Sequence, residues 1–98
     1  MATVKLYYEN AFLQDFTAVV ESCGAVKGGF AVVLDRTAFY PEGGGQPADH
    51  GTLGGAQVSD VQECGGVIVH TCDRALQEGA AVTGELDWQR RFDREFHI

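Results

Sequence analysis

The chain has 98 residues, of which 14 are acidic and 7 are basic, and its formal net charge at pH 7 is −7. This length allows one small domain, and a hydrophobic content of 45% with 21% charged residues is typical of a globular protein. The acidic balance argues against a general nucleic-acid-binding surface, which would be basic.

Short β-prone runs separated by glycine-containing turns make up most of the chain. A link that begins at Gly24 and closes at Gly28-Gly29 predicts a hairpin between the second and third runs. Gly54-Gly55 is typical of a two-residue hairpin turn. Many short strands with glycine turns favour a small closed barrel or a sandwich, and closure would hide strand edges. The predicted strands are 4–8, 16–23, 30–34, 51–53, 57–63, 67–72 and 81–86.

The periodicity changes after residue 86. Asp87 is a favourable N-cap, and Trp88, Phe92 and Phe96 recur at the spacing of one helical face. Asp87 and Arg91 also have the acid-before-base spacing that suits a helix. We therefore expect an all-β small barrel followed by a carboxyl-terminal helix. The aromatic stripe should pack mainly on the barrel, and any exposed part of it would favour self-association.

A glycine-rich loop between residues 34 and 51 is the most unusual stretch. Three glycines, 43–45, precede Gln46, and Pro41 and Pro47 stand at the two ends. Glycine runs lose much backbone entropy on folding, so they are kept where positive φ or a close approach requires them. A loose surface turn is the alternative, but the prolines favour a held loop that presents Gln46. The loop lacks the lysine and hydroxyl residue of a phosphate-binding P-loop.

Catalytic and metal-binding patterns are weak. His70 and Cys72 would share one strand face with Cys64 across the preceding turn, which could supply three metal ligands. The spacing differs from that of structural zinc sites, so buried cysteines and a hydrogen-bonded histidine are the simpler interpretation. Serines lack a nucleophile elbow. The residues alone therefore predict neither a catalytic nor a metal site in this chain.

The composition also bears on the compartment. The three cysteines are an odd number without a disulfide spacing, which predicts a reduced, cytoplasmic setting. No apolar run approaches the length of a membrane span. The first eight residues lack the regions of a secretory signal. We expect no membrane partner.

Residues 36–47 read Arg-Thr-Ala-Phe-Tyr-Pro-Glu-Gly-Gly-Gly-Gln-Pro and are followed by Asp49 and Gly51. This string resembles the signature of the alanyl-tRNA editing family, which comprises free-standing AlaX-type proteins and the editing region of alanyl-tRNA synthetase. The resemblance extends to segments 5–8 and 87–93. It implies that residues 1–86 form a barrel like the domain seen in translation factors.

The resemblance also implies an activity. Such proteins hydrolyse the ester of serine or glycine wrongly attached to the tRNA for alanine, and they hold zinc with a His-x-x-x-His and a later Cys-x-x-x-His pair. Neither pair occurs in this chain, and His97 is out of register. The helix reaches Ile98 without a glycine or proline to end it, so we expect residues 87–98 to lead into a zinc-binding domain absent from this chain. No cofactor is expected here, and zinc is expected in the missing domain.

Carried onto this sequence, the resemblance places the loop against the zinc site of the next domain. The substrate-binding candidates are then Thr37, Gly43, Gly44, Gly45 and Gln46, and no residue is assigned as catalytic. Thr37 would help accept the serine hydroxyl, because a site that hydrogen-bonds a hydroxyl discriminates strongly against substrates that lack it. The acceptor end of the tRNA would bind through the complete protein. A non-catalytic tRNA- or protein-binding barrel, or a purely structural barrel, are the alternatives.

Overall fold

The computed structural model describes residues 2–10 and 12–91. Most of them are in β structure, a 3-10 helix spans Leu6–Tyr8, and residues 88–91 are helical. The prediction of a β-rich chain with a short carboxyl-terminal helix is confirmed. The strands are β1 Val4–Lys5, β2 Asp15–Val26, β3 Gly29–Leu34, β4 Arg36–Thr37, β5 Gly51–Leu53, β6 Ala56–Cys64, β7 Val67–Cys72 and β8 Ala81–Leu86.

Six of these strands follow one another around a closed ring in the order β2-β3-β7-β6-β5-β8. Neighbouring strands of the ring are antiparallel. β1 and β4 form a separate parallel pair, in which Val4 lies opposite Arg36. The glycine-rich loop leaves β4 and returns to the ring at β5. The predicted likeness to translation-factor domains stays a prediction.

Two long strands form the corners of the ring. The first part of β2, 15–19, pairs with β8, and the second part, 20–26, pairs with β3. β6 divides in the same way between β5 and β7. In each long strand the register shifts once, close to the change of partner. A β-bulge bends a strand and increases its twist, so these two bulges let a few short strands close.

The second strand is longer than predicted, and the prediction of a turn that begins at Gly24 is wrong. Gly24 lies within β2 and pairs with Ala31 of β3. The chain reverses only at the two residues Lys27 and Gly28, where Gly28 has a φ of 89°. The sequence contains several glycines here, and the interstrand pairing decides which of them makes the turn.

The first predicted strand is also shorter than expected. Only Val4 and Lys5 are extended, and the backbone then tightens into the 3-10 helix. The N–H groups of Glu9 and Asn10 both donate to the carbonyl oxygen of Leu6, at 2.9 and 3.0 Å. This turn places Tyr7 in the interior and leaves Tyr8 on the surface.

The core fills the inside of the ring. Along the first part of β2 the buried and exposed positions alternate, as expected for a strand with one face toward the core. Gly84 of β8 lies under the ring of Phe16, where a β-carbon would come within 2.5 Å of that ring. The buried residues of this core cluster are Phe16, Ala18, Val20, Val32, Leu34, Ala38, Phe39, Ala48, Leu53, Ala56, Val58, Val61, Ile68, Cys72 and Leu86.

Closure between β5 and β8 depends on a glycine, and Gly51→Ala tests this dependence. A β-carbon on Gly51 would overlap the carbonyl oxygen of Glu85 and lie 3.1 Å from the nitrogen of Asp87. Overpacking of this kind typically costs about 1–3 kcal/mol, so we expect a loss of that size in urea denaturation. Gly24→Ala is the control, because a β-carbon there would have no atom of residues 2–10 and 12–91 within 4 Å apart from those of its two chain neighbours. Equal denaturation midpoints for the two variants would contradict the prediction.

Candidate functional site

The glycine-rich loop ends in a tight, closed turn. The N–H of Gly43 donates to the carbonyl of Gln46 at 3.1 Å, and the N–H of Gln46 donates back to Gly43 at 2.8 Å. Gly44 and Gly45 have φ values of 56° and 83°, and positive φ at both central residues is what a type I′ turn requires. All four residues are exposed. The alternative of a loose turn is therefore replaced by a held turn that projects into solvent.

The base of the loop is fastened to itself and to the ring. The N–H of Glu42 donates to the carbonyl of Val61 in β6 at 2.9 Å. Tyr40 and Asp49 face each other across the loop: the N–H of Asp49 donates to the carbonyl of Tyr40 at 3.0 Å, and the N–H of Tyr40 donates to the Asp49 carboxylate at 2.8 Å. These bonds bring the two ends of the loop together, so the glycine turn stands on a closed stem.

A buried ion pair joins this stem to the carboxyl-terminal helix. The Arg91 guanidinium donates to the Asp49 carboxylate through Nε, at 3.2 Å from Oδ2, and through Nη2. Nη2 also donates to the carbonyl of Ala38 at 2.8 Å. Arg91 and Asp49 are each only 1% exposed. Arg90 adds a bond from its Nε to the carbonyl of Ala48 at 3.1 Å. The loop and the start of the helix are thus held as one unit.

Asp87 begins the helix as predicted. Its carboxylate accepts the N–H of Arg90 at 3.1 Å, which is the usual bond of an N-cap residue. The spacing of Asp87 and Arg91 predicts an ion pair along the helix, whereas the ion pair that the structure shows for Arg91 runs across the fold to Asp49. Of the predicted aromatic stripe, Trp88 is half-buried against Phe12, with ring centroids 6.2 Å apart. Phe92, Phe96 and His97 lie outside the described residues, and self-association stays a prediction.

Thr37 is fully buried at the end of β4, where the loop begins. Its hydroxyl is 2.8 Å from Nε2 of His70, and the N–H of Phe39 donates to the same hydroxyl oxygen at 3.1 Å. Nδ1 of His70 is 2.9 Å from the carbonyl of Val32, which can only accept, so Nδ1 carries the proton and Nε2 accepts from Thr37. Burial lowers the pKa of His70 to about 4. The substrate role assigned to Thr37 stays a prediction, and the contacts shown here are internal.

The described residues do not fit a zinc ion. His70 is held between Thr37 and Val32, Cys72 is buried, and Cys64 is exposed. Within residues 2–10 and 12–91, no cluster of three or more His, Cys, Asp or Glu side chains could hold a metal ion.

A groove of about 360 Å³ lies beside the glycine turn. This groove cannot be found from the sequence, because it is formed where the 3-10 helix meets the loop, and the sequence of the 3-10 helix is typical of a strand. Its lining residues are Tyr8, Tyr40, Pro41, Glu42, Gly43, Gly44, Gln46 and Glu63. A second hollow of about 480 Å³ lies where β5 meets β6 and β8, and His50, Gln57 and Glu85 are among its lining residues. It contains none of the loop residues 41–47.

Comparison with known proteins identifies the family. Residues 2–90 match the family model described as tRNA synthetases class II (A). The alanine–tRNA ligases of Pyrobaculum neutrophilum and Pyrobaculum calidifontis are 50% and 52% identical to this chain over 95 residues, and that of Natronomonas pharaonis is 48% identical over 97 residues. These alignments cover 92%, 92% and 91% of this chain and 10% of each relative, so the chain spans about a tenth of the length of these ligases.

The comparison confirms the predicted relation to alanyl-tRNA synthetase, whereas the AlaX editing type stays a prediction. Within the described part of the chain, no helix is long and apolar enough to cross a membrane. With a family model matched over residues 2–90 and relatives at about half identity, the chain belongs to the class II (A) tRNA synthetase family, as a relative of the alanine–tRNA ligases.

Proposed function

We propose that this chain is the amino-terminal β domain of an alanyl-tRNA editing hydrolase of AlaX type. Its task is to position the aminoacylated acceptor end of the tRNA for alanine while wrongly attached serine or glycine is removed. The observation that carries the proposal is the glycine turn 43–46, which is exposed yet held on a closed stem. The family match supports a tRNA partner.

The turn is suited to close contact with another molecule. A β-carbon at Gly43, Gly44 or Gly45 would have no atom of the described residues within 4 Å apart from those of its two chain neighbours, so the space beside the backbone is open. Glycines let a ligand approach the main chain closely. Gln46 adds an exposed amide, which carries both donors and an acceptor. Because the turn is already formed, little backbone entropy is lost when a substrate binds.

Thr37 takes part in this proposal from its buried position at the end of β4, where the loop begins. Its hydroxyl is engaged by His70 and Phe39, so its contribution is to fix the start of the loop from which the turn projects. The chemistry of hydrolysis is a separate matter. The zinc that the family resemblance implies does not fit the described residues, so the share of this chain is to bind and orient the substrate.

The test is Gln46→Ala, measured in two ways. Gln46 is exposed, so its replacement should change the free energy of unfolding of this chain, obtained from denaturant titration, by no more than about 0.5 kcal/mol. In a complete editing protein that contains this chain, the same change should slow single-turnover deacylation of the tRNA for alanine that carries serine about 5- to 150-fold. This factor corresponds to the cost of about 1–3 kcal/mol for a polar group that loses its partner.

Gln77→Ala is the matched control, because Gln77 is also exposed but lies in the connection before β8. It should alter neither measurement. If Gln46→Ala shifts the midpoint strongly and leaves the deacylation rate unchanged, Gln46 serves the loop and the substrate-contact role is wrong. If neither measurement responds while the complete protein is active, the turn does not meet the substrate, and the alternative of a non-catalytic binding domain gains support.

A further inference from the structure

The groove beside the glycine turn has an aromatic wall. Tyr7, Tyr8 and Tyr40 form one tyrosine cluster: the Tyr7 ring lies 4.7 Å from that of Tyr8 and 4.6 Å from that of Tyr40, and the rings of Tyr8 and Tyr40 are 6.5 Å apart. Tyr7 is buried at the back of the cluster, whereas Tyr8 is 69% exposed. Tyr8 and Tyr40 both line the groove.

The packing of the described residues gives no reason for Tyr8 to be held at the surface. A large ring is held at the surface by two other rings and by the 3-10 helix, so its exposed face has a fixed place. Behind it, the buried hydroxyl of Tyr7 has no hydrogen-bond partner among the described residues. Each such unsatisfied group in a native structure calls for an explanation. Exposed aromatic faces of this kind are the platforms on which unpaired bases stack.

The polar groups of the groove are mainly acceptors. Glu42 and Glu63 line it with carboxylates. Glu63 is paired with Lys5 at 2.6 Å, and Glu42 accepts a bond from the Gln62 amide at 2.8 Å. A carboxylate has two oxygens and further capacity to accept. Carboxylates disfavour phosphate groups, but they suit a ligand that donates hydrogen bonds.

From this geometry we propose that the groove binds one unpaired nucleobase that carries an exocyclic amino group. The base stacks on the exposed ring of Tyr8, with Tyr40, whose ring is perpendicular to that of Tyr8, as a side wall, and its amino group donates to Glu42. Adenine and cytosine have such a donor, whereas uracil presents a carbonyl oxygen in its place. The groove volume of about 360 Å³ is within the range of ligand pockets. The proposal rests on the proposed function for the source of the base, a tRNA end, and names the part of it that this chain recognises.

The test is an NMR titration of the chain with three RNA pentanucleotides, composed of adenosine, cytidine or uridine. Adenosine and cytidine oligomers should bind with dissociation constants at or below about 1 mM and at least about fivefold more tightly than the uridine oligomer. Shifts should be centred on Tyr8, Tyr40 and residues 42–46. Binding should depend only weakly on salt, because few phosphates are neutralised in an acidic groove.

Four variants separate base stacking and hydrogen bonding from effects on the structure of the chain. Tyr8→Ala should weaken binding at least about fivefold, as the loss of one base–aromatic stack does. Tyr8→Phe keeps the ring and should bind as tightly as the parent chain. Phe12→Ala is the matched control, because Phe12 is a similarly exposed ring, 66% exposed, that does not line the groove. Glu42→Gln replaces one acceptor by a donor and should reduce the preference for adenosine and cytidine over uridine.

Several results would overturn the proposal. These are equal affinity for all three oligomers, the same effect from Tyr8→Ala and Phe12→Ala, a salt dependence as steep as that of a phosphate-binding surface, or no shifts at about 5 mM oligonucleotide. The proposed function has its own readout in the Gln46→Ala deacylation rate. Base binding without any effect of Gln46→Ala on deacylation would support this site and overturn the substrate-contact role of the glycine turn. An effect of Gln46→Ala on deacylation without base binding would support the glycine turn and overturn this site.

Discussion

Replacing Arg91 by methionine is expected to lower the free energy of unfolding by about 3–5 kcal/mol, because it leaves the carboxylate of Asp49 buried without its charged partner. Methionine keeps an apolar stem of similar length, so the loss reports mainly the missing guanidinium. The carbonyl of Ala38 would lose a donor in the same step. The measurement is urea denaturation followed by circular dichroism at neutral pH.

Arg74→Met is the matched control for this prediction. The side chains of Arg74 and Asp73 are 69% and 51% exposed, and their closest charged atoms are 4.0 Å apart. Exposed ion pairs contribute about 0–1 kcal/mol, so this variant should differ little from the parent chain. A double variant, Asp49→Leu with Arg91→Met, should recover only part of the lost stability, since the N–H of Tyr40 then lacks its acceptor. If Arg74→Met and Arg91→Met lower the free energy of unfolding equally, the buried pair stabilises the fold no more than an exposed pair does.

Acidification from pH 7 to pH 4 is expected to remove about 3 kcal/mol of stability through His70 alone. Burial lowers the pKa of His70 in the folded chain from 6.5 to about 4. Between these two values the unfolded chain binds a proton at this residue and the folded chain does not, so unfolding becomes more favourable as the pH falls. The loss of stability through His70 therefore begins as the pH falls below about 6.5 and is nearly complete at about pH 4. Denaturation midpoints measured at half-unit steps of pH would follow this loss.

Two histidine variants separate this effect from the titration of carboxylates. His70→Gln should be less stable at pH 7, because it disturbs the bonds to Thr37 and Val32, but its stability should fall less steeply between pH 6.5 and pH 4. His50→Gln should keep the steep fall, because His50 is only partly buried. A parent chain and a His70→Gln variant with parallel pH profiles would contradict the assignment of the slope to His70.

Much of the strand pattern could be predicted from the sequence. Strands β5, β7 and β8 have the predicted bounds, because glycine turns and apolar alternation mark their ends locally. The corners could not be predicted. Whether Gly24 turns the chain or lies within a strand depends on its pairing with Ala31, and the bulges of β2 and β6 depend on where each strand changes partner. These are properties of the assembled ring rather than of any short window.

The candidate site also contains features that the sequence predicts and features that it does not. The glycine turn could be found, because consecutive glycines beside prolines are a local signal. The pairing of Asp49 with Arg91 could not, because 42 residues separate them. Tyr8 was missed because Tyr7-Tyr8 reads as β-prone, and only the contact with Tyr40 shows that the 3-10 helix builds one wall of the groove. Substitutions of Asp49, Arg91 or Tyr8 would therefore alter the candidate site while leaving its glycines unchanged.

The division of β2 between two partners has a consequence for how the chain folds as it is synthesised. The second part of β2 can pair with β3 almost at once, because a two-residue turn joins them. The first part pairs with β8 and must wait for a strand that is made 60 to 70 residues later. At about 5–20 residues per second, that interval lasts about 3–14 seconds on the ribosome. During it, Phe16 and Ala18 lie on a strand segment without its partner strand, so the nascent chain is most open to aggregation and to chaperones before residues 81–86 emerge.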